Sequence, residues 1–287
     1  MKKTYFILFI CYTSINFSLF SQISVDNTQQ IARASKHKIL DTTIIATKYR
    51  MLIENDAQHP QNRKKEYFMI LQVGKQISKF SDYFSLKSDS LSTILAAQKT
   101  TINDAMNKMI AASNGTNRYS LNIFKNYPIN KTTTTDRIPL GDTYKFSENK
   151  VKPLWRMESG SLLVCGYQCK KAITTFRGRN YIAWYAPKIP ISDGPWKFWG
   201  LPGLILKISD DKGHYSFECV SIEKPKYRSE IYILDLNYIN TTKVKFNDAL
   251  KKFYENPRAA MEASGKIKSG LPDKIKSRPY NPIELSE

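Results

Sequence analysis

Residues 162–185 read LLVCGYQCKKAITTFRGRNYIAWY. β-Branched, aromatic and aliphatic side chains fill both ends, and Arg177-Gly178-Arg179 between them has the size and glycine content of a tight turn. The stretch predicts a strand over 162–176, a hairpin tip at Arg177-Gly178-Arg179 and a returning strand over 181–185. Downstream, 204–208 and 215–222 repeat the arrangement around Asp210-Asp211-Lys212-Gly213, whose acidic and glycine residues suit a turn. Further strand signals lie at 119–124, 143–146, 154–157 and 231–236, and before them at 39–53 and 67–73. The texture changes over 81–112. Leu91, Ile94, Leu95, Ile102, Met106, Met109 and Ile110 recur at helical spacing, and Asn114-Gly115 closes the segment. Helix returns at 246–254 and again from Pro257. These signals predict an α+β fold in a single domain over 22–265. Its centre is a strongly twisted antiparallel sheet or half-barrel with the 81–112 helical segment packed on it. A basic, extended tail follows over 266–287.

The chain has 287 residues, 41% of them hydrophobic, with 44 Lys+Arg against 25 Asp+Glu. That is enough to bury a sizeable core, and it excludes collagen-like, disulfide-scaffold and wholly disordered classes. Lys2 and Lys3 precede an apolar run over 5–12, and Ser21 is a small residue suited to a cleavage site. The pattern is that of a secretory signal peptide over 1–21, too short for a membrane span. The expected mature protein is exported to the periplasm or beyond and soluble, and loss of the two lysines takes its formal charge from +19 to +17. The basic residues are scattered, except that 243–278 holds ten against four acidic ones. No aromatic-basic motif for nucleic acid accompanies them. The charge reads as solvated surface, or as an affinity for an anionic surface such as lipopolysaccharide.

All four tryptophans and the three cysteines outside the signal segment fall between 155 and 219. Within that region Asp193-Gly194-Pro195-Trp196-Lys197-Phe198-Trp199-Gly200-Leu201-Pro202-Gly203-Leu204-Ile205-Leu206 resembles the signature of the GLPGLI family of exported proteins from diderm bacteria. The resemblance extends to Gly166-Tyr167-Gln168-Cys169, Phe176-Arg177-Gly178-Arg179 and Ala183-Trp184-Tyr185. It also takes in Leu71-Gln72-Val73-Gly74 and Asn281-Pro282-Ile283-Glu284-Leu285. Such membership implies export and a β-rich domain, with a looser suggestion of association with outer-membrane receptor systems. It implies no established activity. Physically, Leu201-Pro202-Gly203-Leu204 suits a type II turn, with proline first and glycine at the positive φ. Two readings of the corner stay open. Trp196, Phe198 and Trp199 plug the core, or Trp196, Trp199, Leu201, Pro202 and Gly203, with Arg177 and Arg179, rim a binding groove.

Catalytic chemistry is not signalled. His37, His59 and His214 show no ligand spacing, Asp210 and Asp211 read as turn residues, and no phosphate loop, nucleophile elbow or zinc motif occurs. No catalytic residue, cofactor site or metal site is assigned. Arg177 and Arg179 could clamp a carboxylate or phosphate, or cap a solvated hairpin. Cys165 and Cys169, four apart in one extended strand, would sit ~13 Å apart and could not bridge. A bridge from either to Cys219 requires their strands to meet. The expected function is a non-enzymatic binding or accessory module for a hydrophobic ligand or an outer-membrane partner, with a hydrolase, such as a peptidase, as the alternative.

Overall fold

Thr47, Tyr49, Met51 and Ile53 point to one side and Lys48, Arg50 and Leu52 to the other, the two-residue period of a strand with one face in the core. A computed structural model describes residues 30–57, 59, 64–113, 116–139, 141–225, 229–263, 265 and 275–286. The expected signal segment 1–21 and Asn114-Gly115 lie outside them. The first strands are β1 (His37–Thr42) and β2 (Ile45–Ile53). The single strand expected over 39–53 is therefore two. Thr43 N donates to Ser229 O at 2.7 Å while Ile44 N donates to Val73 O at 2.7 Å, so adjacent residues join different sheets.

Next come β3 (Lys65–Val73), β4 (Ser78–Asp82), α1 (Tyr83–Ala97) and α2 (Ile102–Ser113). The helical segment is interrupted at Lys99, whose φ is 54°. Each half has its own cap: Asp82 accepts from Ser85 N at 2.6 Å, and Thr101 Oγ1 accepts from Asp104 N at 3.2 Å. Then follow β5 (Asn122–Lys125), β6 (Lys131–Arg137), β7 (Thr143–Asn149), β8 (Arg156–Val164), β9 (Tyr167–Phe176) and β10 (Arg179–Ala186). The unbroken strand expected over 162–176 is corrected here. Cys165 and Gly166, at φ 50° and 79°, turn the chain between β8 and β9. The remaining elements are β11 (Leu204–Asp210), β12 (Tyr215–Glu223), β13 (Glu230–Leu234), β14 (Ile239–Asn240), α3 (Lys243–Glu255) and α4 (Pro257–Ala263).

Twelve strands form one sheet in the order β14-β7-β6-β5-β4-β3-β2-β12-β11-β10-β9-β8, antiparallel throughout except β14 with β7. β1 and β13 form a separate two-stranded ribbon. The register lines up Thr47, Leu71, Phe80, Ile123, Thr134 and Phe146 across six strands of one face. That face is strongly curled. β7 and β10 are eight strand spacings apart, ~38 Å in a flat sheet, yet Glu148 of β7 meets Arg177 at the β9–β10 tip at 2.6 Å. The sheet bends its ends towards each other without closing into a barrel, and the expected α+β class with one twisted antiparallel sheet holds.

The hollow of the curl is filled by the chain itself. Residues 187–203 leave β10 and cross it through tight three-residue turns centred on Pro190, Ser192 and Pro202, closed by Ile191 N to Ile189 O (2.7 Å), Asp193 N to Ile191 O (2.9 Å) and Gly203 N to Leu201 O (2.9 Å). The type II turn expected at Pro202-Gly203 is thus a tighter one. Phe198 is fully buried, with Trp196 at 5.0 Å, Tyr181 at 4.7 Å and Phe176 at 6.0 Å between ring centroids. From across the hollow Lys125 of β5 donates to Asp193, and to Gly194 O at 2.6 Å. Burial lowers the pKa of the Lys125 ammonium, and Asp193 opposes that shift.

Gly203 has φ +152°, and a Cβ there would lie 2.7 Å from the Ala186 carbonyl carbon and closer to its oxygen. Gly203→Ala should therefore destabilise the protein by about 2–4 kcal/mol in urea unfolding. Gly166→Ala, whose Cβ meets nothing within 4 Å, should cost only about 1 kcal/mol. Equal losses would show that close approach at Gly203 is not what matters.

Candidate functional site

Arg177 and Gly178, at φ 53° and 79°, form the β9–β10 tip and send two arginines inward. Arg179 is buried, and each of its nitrogens is used. Nη1 donates to Asp210 Oδ2 at 2.9 Å and to His214 Nδ1 at 3.1 Å. Nη2 donates to Asn281 Oδ1 and Pro282 O, both at 2.6 Å, and Nε to Ile283 O at 3.1 Å. Tyr215 and Tyr181 add hydroxyl donors to Asn281 O (2.6 Å) and Ile283 O (3.4 Å). Arg179, held by Asp210 and helped by Tyr215 and Tyr181, thereby grips the segment 281–283.

Beside this grip lies a network of five charges, Lys197 buried and the other four partly so. Glu148 accepts from Arg177 at 2.6 Å and from Lys197, and Glu284 accepts from Lys197 and from Lys243 at 3.1 Å. Arg177 Nε also lies 3.7 Å from Glu284. The members come from β7, the β9–β10 tip, the hollow-filling loop, the start of α3 and the C-terminal segment. Burial alone would raise the pKa of the Glu284 carboxyl, but Lys197, Lys243 and Arg177 outweigh it and hold the group below its ordinary 4.5.

The residues proposed as a rim are placed as follows. Trp196, Leu201, Gly203 and Arg179 are buried, Trp199 and Arg177 are partly buried, and Pro202 is exposed. Trp199 donates from Nε1 to Val151 O at 2.9 Å and carries Lys150 Nζ 4.2 Å above its ring. Both arginines do clamp carboxylates, but carboxylates of this chain. Among the described residues, no group of three or more His, Cys, Asp or Glu is arranged to hold a metal.

An open recess lies elsewhere. A cleft of about 570 Å³ runs between the β1–β13 ribbon and β6–β7. Lys38 on one wall stands 6.0 Å from the Tyr127 ring centroid, and Lys145 on the other stands 5.2 Å from that of Tyr238. Thr133 and Ser147 share a hydrogen bond of 2.8 Å on its floor. Tyr238 donates to Leu234 O at 3.0 Å, and burial, then Asp235, pushes its pKa up to about 12, so the phenol stays neutral. None of these residues stood out in the sequence, because the walls come from segments nearly two hundred positions apart, and Lys38 fell in a polar stretch without periodicity.

Comparison with known proteins adds little chemistry. Residues 173–207 match a family model described as "Protein of unknown function (Porph_ging)". The matched stretch includes the Gly200-Leu201-Pro202-Gly203-Leu204-Ile205 string and is compatible with an uncharacterised family, while the GLPGLI assignment itself stays a resemblance. No curated protein matches. Two solved structures, titled "Structure of PNGF-II in P21 space group" and "Structure of PNGF-II in C2 space group", are 16% and 17% identical with TM-scores of 0.43 and 0.42. They align with 73% of this chain, which spans about a third of their length (33% and 32%).

The charge network should be visible in acid. A carboxyl whose pKa is depressed by folding stabilises above its unfolded value and loses that contribution as pH falls through the lowered one. Unfolding measured by urea should thus show stability falling below pH 4.5. Glu284→Gln, which leaves three cations around one carboxylate, should cost about 3–5 kcal/mol at neutral pH and show a shallower acid decline. Parallel acid declines in both proteins would mean that Glu284 titrates independently of the network.

Proposed function

We propose that the protein is an exported, non-enzymatic binding module that holds an anionic sugar group in the cleft between the β1–β13 ribbon and β6–β7. The observation that carries this reading is the pairing of Lys38 and Lys145, one on each wall and each beside a tyrosine ring, over the hydroxyls of Thr133 and Ser147. Two ammonium groups suit a carboxylate or phosphate, aromatic faces suit the C–H face of a sugar ring, and the Ser147 oxygen, whose proton goes to Thr133 while that of Thr133 goes to Tyr127 O, is left to accept from a sugar hydroxyl. The volume fits one or two such rings. The expectation of a hydrophobic ligand loses its best host, because residues 187–203 fill the hollow of the sheet. The hydrolase alternative gains nothing from Arg179, whose donors are taken by Asp210, His214 and the C-terminal segment. Export rests on the signal-like start of the chain, and the net charge, +19 for the full chain and +17 without Lys2 and Lys3, favours anionic partners at long range.

Calorimetric titration with glucose 6-phosphate, glucuronate and glucose tests the reading. The two anionic sugars should bind and glucose should not, with affinity falling as salt is added. Lys38→Ala and Lys145→Ala should each weaken binding about five- to tenfold while leaving thermal stability unchanged. Equal binding of glucose, or indifference to both substitutions, rejects it.

A further inference from the structure

The buried contact between Lys125 and Asp193 belongs neither to the cleft nor to the charge network. It joins the end of β5 to the loop that fills the hollow, 68 positions later in the chain. Lys125 Nζ donates to Asp193 Oδ1, to Gly194 O at 2.6 Å and to Phe198 O at 3.4 Å. The loop around it is apolar, with Trp196 and Phe198 both buried. The Lys125 side chain is 3% exposed, whereas that of Asp193 keeps 12% and so still touches solvent. Lys197, also buried, differs in kind, because it shares two carboxylates with two other cations. Among the described residues, Lys125 and Asp193 have only each other as counter-ions. A lone ion pair in such a place carries two desolvation costs against one attraction.

We propose that Lys125 and Asp193 condense to an isopeptide bond, an amide between Lys125 Nζ and Asp193 Cγ that staples β5 to the hollow-filling loop. The step begins with a proton passing from the Lys125 ammonium to the carboxylate, which leaves an amine and a carboxylic acid. The amine has two N–H groups, and Gly194 O and Phe198 O accept them, so its lone pair is left for the third partner, Asp193. The lone pair attacks Cγ and the C–N bond forms. The C–O bond to the protonated oxygen then breaks, and that hydroxyl departs with one Nζ proton as water, by the solvent side of Asp193. Nothing is oxidised or reduced. Gly194 supplies a partner for both halves of the product, its N–H donating to Asp193 Oδ1 at 2.7 Å and its O accepting from Nζ. In water an amide hydrolyses largely because the acid and amine it releases become ions. Burial withdraws that gain, and it already works against the ammonium form of Lys125. Fixed contact supplies the rate, through an effective concentration on the order of 10⁵–10⁸ M for well-oriented groups.

Peptide mapping of the full chain, kept folded at neutral pH and then unfolded, reduced and cut with trypsin, tests this. Trypsin does not cut after an acylated lysine. The expected product is therefore a branched peptide in which 119–131 is joined to 189–197, lighter than the two together by one water. Fragmentation should place the bond between Lys125 and Asp193. Cleavage after Lys125, with 189–197 recovered at full mass, overturns the proposal. A loss of water confined to 189–197 overturns it too, because that is the cyclic imide which an Asp-Gly pair forms without any lysine. In Lys125→Met the branch should vanish, and a branch that persists there sets the link on another residue and rejects the assignment. Mapping of the wild-type chain decides between these outcomes even where the variant folds poorly.

Discussion

Glu148 and Glu284, set mostly out of water among Arg177, Lys197 and Lys243, join what the backbone leaves apart. A sheet of twelve strands with this curl would ordinarily either close by a last ladder of hydrogen bonds or stay open with a solvent-filled groove. Here two carboxylates and three cations span the gap instead. Each charge taken out of water carries a desolvation cost, and that cost is offset only when all the partners are present. The arrangement therefore couples elements far apart in sequence: a strand near the middle, a hairpin tip, the loop inside the hollow, the start of α3 and the segment after α4. Few of its contacts are local, the condition under which domains fold slowly.

The same closure explains where ligands are excluded. With Phe198 fully buried and Lys125 joined to Asp193 from the far wall, the interior is a core built of the chain's own aromatic loop. The sequence motif around Leu201-Pro202-Gly203 is accordingly a packing device, in which proline tightens the turn and glycine lets two backbones touch. The open recess is on the outside, where the β1–β13 ribbon stands away from β6–β7 and leaves a cleft lined by Lys38, Lys145 and Asp235.

Much of this was legible in residue order. The alternation in β2, β10, β11 and β12 and the glycine at the β9–β10 tip determine their own conformations, because one face is apolar and the turn needs positive φ. β6 escaped notice because Lys131-Thr132-Thr133-Thr134-Thr135 has no hydropathy period, although four threonines in a row are buried. β4 escaped for a related reason. Ser78, Lys79, Ser81 and Asp82 read as surface, yet Lys79 lies 4.2 Å over the Tyr232 ring and Asp82 caps α1. The break between β8 and β9 was hidden because the turn signal of the single Gly166 is outweighed by its apolar neighbours. For the cleft, no local pattern exists at all: its residues become neighbours only once the ribbon has docked.

The grip on residues 281–284 has a consequence for biogenesis. Every strand of the sheet is encoded upstream of Asn281, yet Arg179, Lys197 and Lys243 acquire their full set of partners only when that late segment arrives. A chain emerging from a ribosome with its front end leading has its strands available before it has its lock. The grip and the charge network can be completed only once synthesis has passed Glu284. In that sense the late segment acts as a completeness check: a product ending before Asn281 leaves Arg179 and Lys197 short of the partners that offset their burial.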